Sequence, residues 1–136
     1  MRLAMIDFKN FFKPKKVAVI GASRNPSKVG HVIVKNILDG GFPGEVYPVN
    51  NKAYELFGMK VYSSILKVPG KMDLAIIAVP AKFVIPTVNQ CAKKGIKDVL
   101  IVTAGFGEIG DHALEKKLRQ TLDKHKMRTI GVNCLG

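Results

Sequence analysis

Val17-Ala18-Val19-Ile20-Gly21 is the stretch that decides the fold. Four apolar residues, three of them β-branched, run into a glycine with no polar alternation, as a parallel strand covered on both faces does. The residues after it support that reading. A polar loop through Pro26 leads to Gly30, Ile33, Val34 and Ile37, spaced i, i+3, i+4 and i+7. That spacing predicts a helix starting near Ser27 and stopped by Gly40-Gly41.

The same alternation continues to the end of the chain. Glu45 to Val49 reads as a second strand and Met72 to Val79 as a third, ended by Pro80. Ala81 to Lys94 reads as a helix closed by Gly95, with Pro86 early enough to be tolerated in the first turn. A fourth strand is expected from about Asp98 to Thr103, then the glycine-rich Gly105-Phe106-Gly107. Asp111 is placed to cap a helix on which Leu114, Leu118 and Leu122 repeat every four residues, and Thr129 to Val132 reads as a fifth strand. The crossover between strands two and three is less regular. A helical turn is expected at Ala53 to Leu56, and an extended piece near Lys60 to Tyr62. Strands alternating with helices at this spacing imply an α/β fold: a Rossmann-like, doubly wound parallel sheet in a single domain.

Length and charge narrow the function. The 136 residues suit one domain, and 47% hydrophobic residues suffice for a real core, so overall disorder is excluded. The net charge of +12 makes an anionic partner a reasonable expectation. It is spread along the chain: residues 1–68 carry 11 basic and 4 acidic groups, and residues 69–136 carry 11 and 6. No basic tail is present. The longest apolar run, Leu74 to Ala81, is far short of the ~20 residues of a membrane span, so no membrane partner is expected. Met1 to Phe12 lacks the pattern of a secretory signal. Cys91 and Cys134 have neither metal-ligand spacing nor the numbers for a disulfide framework, so the expectation is a reduced, cytoplasmic protein with no metal site. Nucleic acid is disfavoured, since aromatic stacking motifs and clustered basic residues are lacking.

In a doubly wound sheet the ligand lies outside the carboxyl ends of the strands, near the switch in strand order. That brings together the loops at 21–30, 49–52, 79–83, 103–107 and 133–136. In the first, Gly21 permits a tight turn. Ser23, Ser27 and backbone N–H groups can donate to phosphate oxygens, and Arg24 and Lys28 add positive charge at the positive end of a helix. The loop is longer than the dinucleotide-binding G-x-G-x-x-G turn. At the end of strand two, NAD-binding domains place an acid on the ribose hydroxyls. Here the end reads Val49-Asn50-Asn51-Lys52. That disfavours NAD, and leaves NADP or a 3′-phosphorylated adenosine such as coenzyme A (CoA). Turn-forming asparagines and a solvated lysine would explain the same residues.

The stretch from Phe11-Phe12-Lys13-Pro14 through Gly21-Ala22-Ser23 resembles the opening of the ADP-forming acyl-CoA synthetases, the acetate–CoA ligase family. Four further segments agree in order and spacing: Tyr47-Pro48-Val49-Asn50, Asp73 through Val79-Pro80-Ala81, Ala104-Gly105-Phe106-Gly107-Glu108, and Asn133-Cys134-Leu135-Gly136. The chain is also similar to the CoA-binding part of the succinyl-CoA synthetase alpha subunit and to small stand-alone CoA-binding proteins. The resemblance implies a lead segment at 1–14 and a CoA-binding domain at 15–136. By that resemblance Gly21, Ala22, Ser23, Arg24, Asn25 and Lys28 would hold the CoA phosphates. Val49, Asn50 and Lys52 would lie along the adenosine and its 3′-phosphate. Val79, Pro80 and Phe83 would line the ligand, Thr103 and Ala104 would meet the pantetheine arm, and Asn133 and Cys134 would sit near the thiol. Val132 and Asn51 stand where the family commonly has proline.

Longer relatives convert acyl-CoA, ADP and phosphate into acid, CoA and ATP through an acyl phosphate and a phosphorylated histidine in a later domain. The partners implied are therefore CoA or acyl-CoA, and the remaining synthetase domains or a nucleotide-grasp subunit. No catalytic residue is expected in this chain. His31, His112 and His125 have no orienting carboxylate and nucleophile in a recognisable arrangement. An NADP-binding domain of a regulator or oxidoreductase is the alternative, by analogy of fold.

Overall fold

The computed structural model describes residues 13–52, 55–102 and 112–130. Its centre is β1 (Lys16–Ile20), in which Val17, Ala18, Val19 and Ile20 are all buried. β1 pairs in parallel with β2 (Glu45–Val49) on one side and β5 (Leu74–Ile77) on the other; β6 (Asp98–Ile101) and β7 (Arg128–Ile130) follow. The sheet order is β2-β1-β5-β6-β7, so the direction of winding switches between β1 and β5. The register aligns Ile20 with Val49 and Ile77, and Ile77 with Ile101. The carboxyl ends of four strands thus form one level edge.

Side chains alternate between two cores, as the two-residue period of a strand requires. Ala18, Ile20, Ala75, Ile77, Val99 and Ile101 face α2 (Ala81–Lys94) and α3 (His112–Lys124), meeting Val84, Val88, Leu118 and Leu122. Cys91 lies in this core, where burial pushes its thiol up to about 12. Val17, Val19, Leu74 and Ile76 face α1 (Val29–Asp39) and meet Val34, Ile33 and Ile37.

Most expected elements are present, with bounds corrected by hydrogen bonding. The third strand is Leu74–Ile77 rather than Met72 to Val79; at its amino end the Asp73 carboxylate accepts the backbone N–H of Lys15 (2.9 Å) and of Lys16 (3.0 Å). The fourth ends at Ile101, and the fifth begins at Arg128, one residue earlier than expected. Pro86 sits at the sixth position of α2, beyond the first turn; it removes one helical hydrogen bond on an exposed face.

The helical turn expected at Ala53 to Leu56 is corrected. Residues 53 and 54 lie outside the described residues, and β3 (Glu55–Leu56) forms an antiparallel hairpin with β4 (Met59–Lys60). Phe57 and Gly58 turn it with φ of 52° and 78°, the two positive values that suit a two-residue hairpin. Burial of Leu56 and Val61 in the second core holds it down. The extended piece near Tyr62 is present as a bridge to Val49, and a short 3-10 helix at Ile65–Lys67 completes the crossover.

No helix among the described residues is long and apolar enough to cross a membrane.

Candidate functional site

Two glycines bring α1 onto the end of β1. Gly21 leaves the strand with φ of +99°, and a Cβ there would collide with the Ala78 carbonyl oxygen. A Cβ on Gly30 would collide with the carbonyl oxygen of Gly21 and lie 3.1 Å from Ala22 Cα. Every atom in the way at Gly30 is backbone. The approach therefore requires glycine at both positions, and it sets the loop 21–28 directly over the switch between β1 and β5.

The loop is held from inside. Gly21 N–H and Ala22 N–H donate to the Val49 carbonyl at 2.9 and 3.2 Å. Asn50 completes the tie: its Nδ2 donates to the Ala22 carbonyl at 2.6 Å, and its Oδ1 accepts Lys52 N–H at 2.8 Å. Ser23 Oγ accepts Asn25 N–H at 3.0 Å, and Asn25 Oδ1 accepts both Ser27 N–H and Ser27 Oγ–H. The Ser27 hydroxyl, expected to donate to a ligand, is thus spent within the turn. Asn50 likewise spends its side chain on joining two loops.

Asn25, Ser27 and Lys28 also donate their backbone N–H groups within the loop, so the edge presents a ligand chiefly with the start of α1 and with positive charge. α1 begins after Lys28 with no side-chain cap and no acid in its first turn, so the positive end of the helix is uncompensated. Arg24, Asn25 and Lys28 are exposed around it. Lys52 is exposed on the next loop, again with no acid beside it in sequence. Beyond β5, Val79 is half-buried against Gly21, Pro80 immediately precedes α2, and Phe83 is 50% exposed with the Lys82 ammonium 5.1 Å from its ring centre. The arrangement offers an anion cradle, a separate cation on its flank and an exposed apolar ring. It suits an extended ligand with phosphates at one end and an apolar arm.

Of the residues expected at the site, Gly21, Ala22, Ser23, Arg24, Asn25, Lys28, Val49, Asn50, Lys52, Val79, Pro80 and Phe83 all lie on the carboxyl edge, Val49 as the last residue of β2 and the others in loops or at the start of α2. Thr103, Ala104, Asn133 and Cys134 lie outside the described residues, as do Gly105-Phe106-Gly107, Glu108 and Asp111. Sequence reasoning gave His31 no role at the loop, yet its ring meets the Ser23 carbonyl. It also passed over Tyr62, whose backbone brackets the end of β2 by accepting Asn50 N–H and donating to the Pro48 carbonyl. No group of three or more His, Cys, Asp or Glu that could hold a metal occurs among the described residues.

Comparison with known proteins finds relatives over nearly the whole chain. A family model described as a CoA binding domain matches residues 15–136. The chain is 48% identical over 134 residues to the acetate–CoA ligase [ADP-forming] II subunit alpha of Pyrococcus furiosus, covering 97% of this chain and 29% of that protein. It is 45% identical to the acetate–CoA ligase [ADP-forming] of Methanocaldococcus jannaschii, covering 96% of this chain and 18% of that protein. Among solved structures, an acetyl-coenzyme A synthetase from Ca. Korarchaeum cryptofilum, in complex with phosphate and ADP, superposes with a TM-score of 0.91 at 42% identity, over 96% of this chain and 28% of that one. The chain thus spans less than a third of the length of these relatives. The NADP-binding alternative gains no support from them.

Proposed function

This chain belongs to the CoA binding domain family, and from that premise we propose that its carboxyl edge holds CoA in one defined direction. The diphosphate lies against loop 21–28 and the uncapped start of α1, where backbone N–H groups, Arg24 and Lys28 meet its charge. The adenosine follows Val49 and Asn50, with its 3′-phosphate at Lys52. The pantetheine arm runs past Val79, Pro80 and Phe83 toward Thr103, Ala104, Asn133 and Cys134. Residues 1–14 serve as a lead segment to this domain.

The observation that carries the reading is the end of β2. A ribose with free hydroxyls would want a carboxylate there, and the loop supplies Lys52 with its backbone fixed by Asn50. Lys52→Ala tests it. Titration calorimetry is expected to show about a tenfold loss for CoA, in line with a charge-assisted contact, and little change for dephospho-CoA. Equal losses for the two ligands would remove Lys52 from the 3′-phosphate.

At the scale of the longer relatives, the domain acts as the CoA-holding part of an ADP-forming acid–CoA ligase. The assembly interconverts acyl-CoA, ADP and phosphate with acid, CoA and ATP, and CoA is its substrate. The acid-activating and nucleotide-grasp parts belong to further domains or to a partner subunit. What supports this is the names of the relatives, of whose length this chain covers less than a third. A cytoplasmic setting goes with the reading, supported by the presence of only two cysteines in the sequence.

A further inference from the structure

We propose that His31, braced by the hairpin residue Phe57, is the positioning residue that fixes the phosphate loop for its ligand. The inference rests on the CoA reading above and adds to it a residue and a structural element from outside the ligand-contacting set.

The geometry is specific. His31 is the third residue of α1, and its Nδ1 lies 2.8 Å from the Ser23 carbonyl oxygen. A carbonyl can only accept, so Nδ1 carries the proton and the tautomer is set by the loop. This bond reaches the loop from the helix side, while Asn50 reaches the neighbouring Ala22 carbonyl from the β2 side at 2.6 Å. Two successive carbonyls of the loop are therefore held by side chains from opposite directions. Both oxygens are turned toward those donors, and in planar trans peptides the N–H groups of Ser23 and Arg24 then point the other way, toward the ligand side. The bond exists only because Gly30 lets α1 press against the loop.

The imidazole is itself braced. Its ring centre lies 5.0 Å from that of Phe57, at an interplanar angle of 52°. Phe57 is 44% exposed and adopts φ of 52°, a conformation unfavourable for a bulky side chain. The hairpin has no core of its own at its tip, so this ring contact is what its turn supplies. In consequence the crossover between β2 and β5 supports the phosphate loop through one aromatic contact and one hydrogen bond.

The tests use the whole chain and CoA. His31→Ala is expected to weaken CoA binding about 3- to 10-fold, the range for one lost hydrogen bond. His31→Asn, whose Nδ2 can take the place of Nδ1, is expected to restore binding to within about twofold. A 15N spectrum of the wild-type imidazole should show the Nδ1–H tautomer when the ring is neutral. Phe57→Ala should weaken binding in the same direction, while Phe57→Leu, which keeps apolar contact, should fall between it and wild type. If the wild type binds CoA but His31→Ala binds equally well, or Asn is no better than Ala, or the neutral ring is Nε2–H, the positioning role is wrong and the CoA reading stands. If the wild type does not bind CoA, it is the CoA reading that fails.

Discussion

Replacement of Gly30 by alanine is expected to lower stability by about 3 kcal/mol, the upper part of the usual range for overpacking, and to abolish measurable CoA binding. At a position inside a helix the ordinary effect has the opposite sign, since alanine is favoured over glycine by ~1 kcal/mol. Packing decides here. The new methyl group would meet the carbonyl oxygen and carbon of Gly21 and the Cα of Ala22, none of which is the end of a flexible side chain. The loop cannot retreat, because Gly21 is itself against the Ala78 carbonyl. α1 must move outward, and the His31 bond to Ser23 and the anion cradle move with it. Thermal unfolding should show a midpoint lowered by roughly 10 °C. Val32→Ala, on the exposed side of the same helix, should leave both stability and binding nearly unchanged. A stable Gly30→Ala protein with normal affinity would mean that the close approach of helix and loop is not required.

The second large effect is at the opposite end of the sheet. Asp98 is 1% exposed, and its carboxylate accepts Arg128 Nε at 2.6 Å and Nη2 at 2.9 Å, a bidentate pair across neighbouring strands. Removing the arginine leaves a buried carboxylate without its main counter-charge. Arg128→Ala is therefore expected to cost about 3 kcal/mol, as broken buried pairs do. Arg128→Lys should recover only part of that, since an ammonium cannot reproduce the fork. Asp98→Leu combined with Arg128→Met should recover most of it, because the burden is a buried charge deprived of its arginine rather than the loss of an attraction. Urea unfolding measures all three. The folded fraction of Arg128→Ala should still bind CoA with near wild-type affinity, because the pair lies at the amino ends of β6 and β7. A loss below ~1 kcal/mol would show that Asp98 finds sufficient compensation elsewhere.

These two sites also show what the sequence could and could not reveal. The β-branched run of β1, the helical spacing of α1, and Gly95 at the end of α2 are local signals, and each element lies where they point. Because a doubly wound sheet has only one ligand edge, the same signals place the loops at 21–30, 49–52 and 79–83 together, while those at 103–107 and 133–136 lie outside the described residues. Contacts between distant residues were not legible in this way. Asp98 and Arg128 are ordinary charges until strand register sets them side by side. The His31 bond depends on how closely a helix can approach, which is set by glycines at two separate positions. The hairpin was missed because Phe57 is a poor residue for its φ, and only the burial of Leu56 and Val61 makes the turn worthwhile. For Asn50 the sequence leaves a turn role and a ligand role open, and its ties to Ala22 and Lys52 become visible only once its partners are known.

CoA is the ligand proposed for the carboxyl edge. The most direct measurement is a calorimetric titration of the 136-residue chain with CoA, NADP and NAD under identical buffer and salt. CoA is expected to bind with one site per chain and more tightly than either nicotinamide cofactor, with NAD weakest for want of a carboxylate at the end of β2. Tighter binding of NADP or NAD than of CoA would contradict the account.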